Sequence, residues 1–203
     1  MSGRRQSRTR AAFTLVEVLI VVSIFVLVSY NLYTILGSTT RSYRSESIGA
    51  ELDNLARRTV DRIALALIGS RRETLYTTPE SPMFTSSLTY EENLGWSEEQ
   101  IVWSDQRRIA LALVEDKVVW IENPGEPNER SVVWCNWVRH LLEGEVENGI
   151  DDNGNGLVDE RGLSFDVDGD SIIIRLTLER AAGEGDEIRI VTTTVTARVT
   201  CRN

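Results

Sequence analysis

The chain has 203 residues, enough for one ordinary domain together with a membrane anchor, and 41% of them are hydrophobic, which excludes a disordered protein. The first 12 residues contain four of the 22 basic residues and no acid, so the rest carries 18 basic and 31 acidic residues, a formal charge of −13. Such an acidic body disfavours nucleic acid as a partner and is compatible with metal cations and basic proteins.

Residues 13–36 form an apolar segment that reads FTLVEVLIVVSIFVLVSYNLYTIL. As a helix rising about 1.5 Å per residue it would reach roughly 36 Å, enough to cross a bilayer core of about 30 Å. Four arginines directly precede it, at positions 4, 5, 8 and 10. The positive-inside rule therefore predicts a single-pass protein with a cytoplasmic N-terminus and a translocated body.

Three interpretations of this segment compete. A secretory signal peptide would end in small residues, but no A-x-A-like site and no lipobox cysteine follows the apolar run. A plain signal anchor leaves Glu17 unexplained, because a charged residue costs about 2.5–3.5 kcal/mol at the centre of a membrane helix on insertion scales. Such a carboxylate indicates a partner or a function.

The third interpretation rests on residues 12–20, which read AFTLVEVLI behind the arginine-rich leader. This string resembles the cleavage and methylation signal of type IV prepilins and type II secretion pseudopilins. The resemblance implies that a prepilin peptidase removes residues 1–12 by cutting between Ala12 and Phe13, and that the new Phe13 amine is methylated. It also implies that Glu17, at the fifth mature position, pairs with the amine of a neighbouring subunit. The family normally has glycine where this chain has Ala12.

Residues 37–70 are predicted to continue the same helix in amphipathic form. Hydrophobic residues recur there at three- and four-residue steps, and charged residues occupy the other faces. This stripe consists of Ile48, Leu52, Leu55, Thr59, Ile63 and Leu67. Gly69 is expected to end the helix, and a break near Gly37 into two helices is the alternative.

From residue 72 onward the hydrophobic period changes to two, which predicts a β-rich head over residues 71–203. The expected strands are 100–104, 109–114, 118–122, 131–138, 163–166, 171–178 and 187–201. Residues 77–98 are expected to be irregular, with at most one weak strand. The fold class is therefore α+β, a long N-terminal helix packed on an antiparallel sheet, and this order looks like a pilin fold.

Weaker features at residues 141–146 and 199–203 direct the resemblance towards J-type minor pseudopilins and PilW-like minor pilins. It implies a minor subunit of a type II secretion or type IV pilus-like filament, in the bacterial inner membrane with a periplasmic head. The implied partners are other pilin or pseudopilin subunits and prepilin peptidase, with secreted cargo as a further candidate. The alternative is a membrane-anchored calcium-dependent binding or adhesion module outside any filament.

An acidic loop at residues 148–162 reads NGIDDNGNGLVDERG and matches the first half of a calcium loop, D-x-[DN]-x-[DN]-G. The candidate Ca²⁺ ligands are Asp151, Asn153, Asn155, the Leu157 carbonyl, Asp159 and Glu160. The twelfth position is Gly162 instead of a bidentate glutamate, so the loop is not an EF-hand. The alternative is an Asn/Gly-rich turn that needs no metal.

The other candidate features are less specific. Residues 166–170 are interpreted as a hairpin turn in preference to a second metal site, and three tryptophans, at positions 120, 134 and 137, as core packing in preference to a recognition patch. Cys135 and Cys201 are compatible with one disulfide and equally with two buried thiols. With a single histidine, His140, and no nucleophile–base pair or phosphate loop, we expect a protein that is not an enzyme.

Overall fold

A computed structural model describes residues 14–70, 72–75, 83–97, 100–112, 114–183 and 188–201. The described residues form a long helix, α1 (Leu15–Ile68), a single helical turn, α2 (Arg72–Leu75), and ten strands. The strands are Met83–Thr85 (β1), Ser87–Tyr90 (β2), Asn93–Ser97 (β3), Gln100–Trp103 (β4), Arg107–Ala112 (β5), Lys117–Glu122 (β6), Arg130–Cys135 (β7), Leu163–Asp168 (β8), Ser171–Ala182 (β9) and Arg189–Thr200 (β10). The fold class is α+β, as predicted.

The chain divides into two compact units between Tyr43 and Arg44, and α1 contributes to both. In the first unit, Leu15–Gly37 is a 23-residue stretch with a mean hydropathy of 2.3, long and apolar enough to cross a membrane. Three of its polar side chains, those of Ser23, Asn31 and Thr34, donate to helix carbonyls; the Ser23 hydroxyl does so to Leu19 at 2.8 Å. Such internal pairing removes much of the cost of placing these groups in an apolar environment.

In the second unit, the later part of α1 supplies one side of the hydrophobic core. Its fully buried apolar residues are Leu52, Ala56, Val60, Ile63 and Leu67. Ile48 and Leu55 pack against the same core while partly exposed, and Thr59 is buried with its hydroxyl bonded to the Leu55 carbonyl at 2.8 Å. The predicted stripe is therefore confirmed. The helical assignment runs through Gly37, so the prediction of one helix is confirmed over the two-helix alternative.

Antiparallel pairing organises the strands into three sheets. The order is β1-β8-β9-β10 in the first, β2-β5-β6-β7 in the second and β3-β4 in a separate ribbon. Residues from α1 and from both four-stranded sheets share a single core, to which the sheets contribute Leu88, Ile109, Val118, Phe165, Ile174 and Leu176, among others. The acidic loop belongs to a long connection between β7 and β8.

The connection between β7 and β8 also pairs with β9. Over the first half of β9 the partner is β8, with Leu163 opposite Leu176. Beyond that point Arg139 donates its backbone N–H to the Thr177 carbonyl at 3.0 Å, and Glu179 donates to the Trp137 carbonyl at 2.8 Å. The connection therefore leaves β7, runs beside β9, and returns as β8.

The seven predicted strands are present with shifted ends, but the prediction for residues 77–98 is wrong. Three strands, β1, β2 and β3, lie within 83–97. They have three to five residues each, too short for a period of two to stand out from the surrounding polar sequence. The strand expected over 131–138 ends at Cys135, because Trp137 adopts a φ of 62°, which is incompatible with a regular strand.

Candidate functional site

The first turn of α1 gives Glu17 two hydrogen-bond donors from its own chain. The backbone N–H and the hydroxyl of Thr14 donate to Glu17 Oε2 at 2.9 and 3.0 Å, and the Glu17 N–H donates to Thr14 Oγ1 at 3.3 Å. This reciprocal pattern is a capping box, which satisfies N–H groups that a helix start otherwise leaves without partners. The T-x-x-E spacing could have identified it from sequence. Ala12 and Phe13, the predicted cleavage site, lie outside the described residues.

The apolar stretch that follows Glu17 is exposed all round. None of the side chains of Leu15–Gly37 is buried within the chain, and Phe25 and Tyr33 are among the most exposed. A helix that is apolar on every face requires surroundings of lipid or of other helices. The polar residues of the stretch include Glu17, which is bonded to Thr14, and Ser23, Asn31 and Thr34, which bond to helix carbonyls.

The acidic loop is organised first by Asp151. Its Oδ1 accepts the backbone N–H groups of Gly154 and Asn155 at 2.7 and 3.2 Å, and its Oδ2 accepts that of Gly156 at 2.8 Å. Both oxygens predicted to bind Ca²⁺ therefore face the backbone of the loop. Gly156 has a φ of 91°, which explains why the sixth position is a glycine.

The two asparagines of the motif also turn their oxygens to the backbone. Asn153 Oδ1 accepts the Asn155 N–H at 3.0 Å, and Asn155 Oδ1 accepts the Leu157 N–H at 2.9 Å. Their amide nitrogens both donate to Glu160 Oε2. The predicted spacing therefore does bring Asn153, Asn155 and Glu160 together, through hydrogen bonds among themselves.

The two acids expected to close the calcium site have different partners. Asp159 accepts backbone N–H groups from Asn148 and Gly149, each at 3.0 Å. Glu160 is only 7% exposed and forms an ion pair with Arg175 of β9, with 3.4 Å between Oε1 and Nη1. The Glu160 charge is thus already balanced by a half-buried guanidinium.

A buried carboxylate outside the motif, Glu145, holds the loop together. Glu145 is 2% exposed, and its two oxygens accept the backbone N–H groups of Asn153 at 3.1 Å and Asp159 at 3.2 Å. It therefore joins two parts of the loop that are six residues apart. The sequence contains no spacing rule that would single out Glu145, because its partners are backbone groups.

Gly162, at the twelfth position, has a steric role. A Cβ added there would lie 1.8 Å from the Arg139 carbonyl oxygen and 2.8 Å from its carbon. The Gly162 carbonyl accepts the Thr177 N–H at 2.7 Å, so the backbone cannot easily move away. A liganding side chain at this position is excluded by the packing of the main chain.

This donor set is satisfied without an ion. No group of three or more His, Cys, Asp or Glu side chains positioned to hold a metal is found among the described residues. Asp151 Oδ2, Asn153 Oδ1 and Asn155 Oδ1 each accept one N–H and keep a second lone pair, whereas Ca²⁺ would compete with Arg175 for Glu160. Calcium binding therefore stays a prediction.

The hairpin between β8 and β9 corresponds to the second acidic stretch, residues 166–170. Asp168 pairs with Ser171, and Gly169 has a φ of 58° in the turn between them, so the hairpin-turn interpretation is confirmed. Asp166 Oδ2 lies 3.9 Å from Arg175 Nη2. Burial raises the pKa of Asp166, and this effect exceeds the opposing attraction of Arg175.

Two of the three tryptophans pack at the core, as predicted. The rings of Trp120 and Trp134 stack with centroids 6.2 Å apart, and the Arg62 guanidinium of α1 lies 4.3 Å from the Trp134 centroid. Trp120 Nε1 donates to the Tyr90 hydroxyl at 2.9 Å. Trp137 differs, since it is 39% exposed.

The two cysteines are buried thiols that are not joined to each other. The Cys135 thiol donates to the Asn136 carbonyl at 3.2 Å, whereas the Cys201 thiol donates to the Leu67 carbonyl of α1 at 3.6 Å. Burial raises the pKa of Cys135. The structure therefore has the buried-thiol alternative in place of the disulfide.

Comparisons with known proteins supply no family assignment for the chain. No family model, no curated protein and no solved structure matches it. The function has to be argued from the helix start, the apolar stretch and the head themselves.

Proposed function

We propose that this protein is a minor subunit of a type IV pilus-like or type II secretion filament, in which it serves pilus assembly or protein secretion. One observation carries the proposal. The apolar stretch Leu15–Gly37 contains a single carboxylate, Glu17, in its first turn, and the same helix goes on to form part of the core of the second unit. An anchor alone needs neither the carboxylate nor that continuation.

Insertion follows from the exposed apolar side chains and the charge of the leader. Fully burying a Val, Leu, Ile or Phe side chain contributes about 1.5–3 kcal/mol, and the stretch Leu15–Gly37 consists largely of such residues. The four arginines before residue 13 hold the N-terminus in the cytoplasm, so the head faces the periplasm.

Assembly is proposed to use Glu17 after removal of residues 1–12. In the single subunit the Glu17 carboxylate accepts two bonds from Thr14. A hydrogen bond to a charged group contributes about 1.5–3 kcal/mol, and the carboxylate forms such bonds with Thr14 as well as with an ammonium. The methylated ammonium of Phe13 in a neighbouring subunit also balances the charge, which Thr14 cannot do. The exchange of partners therefore favours lateral packing of helices.

The intact mass of the full-length protein, extracted from membranes of a host with prepilin peptidase, tests the proposal. We expect a polypeptide that begins at Phe13 and carries one added methyl group. The Ala12→Gly variant restores the residue that the family has before the cut and should be processed at least as completely. A polypeptide that still begins at Met1 would overturn the proposal.

Glu17 is tested separately by cross-linking in membranes. We expect Glu17→Ala to insert normally and to lose cross-linking between subunits, while Thr14→Ala keeps it, because Thr14 serves only the single subunit. Normal assembly of Glu17→Ala would show that the pairing mechanism is wrong.

The alternative, a membrane-anchored calcium-dependent module outside any filament, makes a different prediction. Ca²⁺ binding with a dissociation constant of roughly 10⁻⁴–10⁻³ M would raise stability by at least about 1.4 kcal/mol at about 10 mM Ca²⁺. Asp151→Ala should abolish this gain, whereas Asp105→Ala, on an exposed residue outside the loop, should not. The full-length protein in detergent is titrated with Ca²⁺. If the titration gives neither heat nor a thermal shift, the calcium-dependent alternative is wrong.

A further inference from the structure

Trp137 combines an unfavourable backbone conformation with an exposed indole. Its φ is 62°, a region that is unfavourable for any residue other than glycine, and the residue is 39% exposed. The exposed indole is not part of the hydrophobic core. The conformation is held from both sides, because Glu179 donates to the Trp137 carbonyl at 2.8 Å and the next residue, Val138, donates to the Asp116 carbonyl at 2.9 Å.

The indole is also fixed in position. The guanidinium of Arg180 lies 4.5 Å from the ring centroid, and Arg180 Nη1 is held by Glu51 Oε2 of α1 at 2.9 Å. A cation over an aromatic face is attracted by the negative charge density of the ring. Trp137 is therefore a preorganised side chain, and preorganisation reduces the entropy lost when a ligand binds.

A cavity of about 760 Å³ opens beside this ring. Its apolar wall includes Trp137 and Ile190, and Ile190 is largely exposed. The volume lies within the range of about 300–1,000 Å³ that is typical of ligand sites. Arg180 does not line the cavity, so the part of the indole that faces it remains accessible.

One acidic side chain at the cavity has no basic partner among the described residues. Lys117 pairs with Glu115 at 2.8 Å and Arg139 pairs with Glu179 at 3.1 Å. Asp116 lines the same cavity, is exposed, and has no basic side chain of the described residues within ion-pair distance. The site thus offers an apolar wall with one unbalanced carboxylate, in a body with a formal charge of −13 after residue 12.

We propose that this cavity binds a segment of a partner protein that presents an apolar side chain next to a lysine or arginine. The apolar side chain packs on Trp137 and Ile190, and the cation lies at Asp116. A second copy of this chain is a poorer occupant, because two acidic bodies repel each other. The inference does not depend on the proposed place in a filament.

Calorimetry with two synthetic peptides tests the inference on the full-length protein in detergent. The peptides are acetyl-Gly-Lys-Leu-Lys-Gly-amide and the matched acetyl-Gly-Glu-Leu-Glu-Gly-amide. We expect the lysine peptide to bind at least about tenfold more tightly than the glutamate peptide, a difference of about 1.4 kcal/mol.

Two variants locate the binding. Trp137→Gly removes the ring and relieves the strained φ, so it should fold as well as the native chain and bind the lysine peptide at least about tenfold more weakly. Asp116→Asn keeps a residue that tolerates its φ of 51° and should lose the preference for the lysine peptide. Trp96→Ala, on an exposed tryptophan of β3, is the control and should bind like the native chain.

Several results would overturn the inference. They are the absence of lysine-peptide binding, equal binding of both peptides, and full binding by Trp137→Gly. Sedimentation of the peptide-free protein tests whether a second copy of the chain occupies the cavity. Self-association that Trp137→Gly abolishes would assign the cavity to that second copy and would also overturn the inference.

Discussion

Gly162 lies directly against the main-chain carbonyl of Arg139, with room for a hydrogen atom but not for a methyl group. This contact places Gly162, the last residue of the acidic loop, beside Arg139, which lies in the segment that leads into the loop. Both residues bond to Thr177 of β9: Arg139 donates to the Thr177 carbonyl, and the Gly162 carbonyl accepts the Thr177 N–H. The loop therefore closes on one residue of the sheet.

Gly162→Ala should destabilise the protein. The added methyl group forces the Arg139 carbonyl away and weakens both bonds to Thr177, and overpacking of this kind costs about 1–3 kcal/mol. Denaturant unfolding measures the loss. Gly49→Ala in α1 is the matched control, because its methyl group meets only Val191 Cγ1 at an ordinary 3.6 Å. Equal stability of Gly162→Ala and the native chain would contradict the steric role.

Glu145→Gln should loosen the acidic loop. Glutamine offers a single acceptor oxygen where the carboxylate offers two, so the N–H of Asn153 or Asp159 loses its partner at a cost of about 1–3 kcal/mol. Amide hydrogen exchange at these two residues should accelerate. Glu147→Gln, on an exposed acid paired with Arg161 at 3.4 Å, should change stability by less than about 1 kcal/mol. Unchanged exchange in Glu145→Gln would show that the carboxylate does not hold the loop.

Asp166→Asn should stabilise the protein at neutral pH. Burial raises the pKa of Asp166, so the folded state binds its proton more tightly than the unfolded state does. Stability attributable to this group is therefore present below the unfolded pKa of about 3.9 and is lost as the pH rises through the folded pKa. Asp166→Asn has no carboxyl group to ionise, so it does not lose this stability as the pH rises. Its advantage over the native chain, measured by urea unfolding, should shrink as the pH falls towards about 3.9.

The thiols should be slow to react in the folded protein. Both cysteines are buried, and the raised pKa of Cys135 leaves less thiolate, which is the reactive form. Ellman's reagent should label neither thiol in the native chain at short times and should label both after denaturation without reductant. A requirement for reductant before labelling would instead indicate a disulfide between Cys135 and Cys201.

Much of the fold could be predicted from the sequence because the hydrophobic residues of its longer elements recur periodically. The stripe from Ile48 to Leu67 and the alternation in β9 and β10 run over enough residues to identify a helix and a hairpin. The short strands β1 and β2 were missed, since pairing with distant strands and not local pattern fixes them. Strand β3 pairs with its neighbour β4, but an irregular register between Asn93 and Gly95 interrupts its alternation.

The candidate sites were less predictable, because their decisive groups are backbone atoms. The spacing of Asp151, Asn153 and Asn155 predicted a convergent loop, and the loop does converge, but on its own N–H groups. Glu145 and the contact between Gly162 and Arg139 depend on where distant main chain passes. No residue pattern encodes that route.

The pairing along β9 has a consequence for cutting the chain. Its first half is bonded to β8, its second half to residues 137–139, and its other edge to β10 throughout. A protease that cleaved the acidic loop would leave each new end still bonded into the same sheet. The two fragments should therefore stay associated, and new chain ends or an inserted domain should be tolerated at this loop.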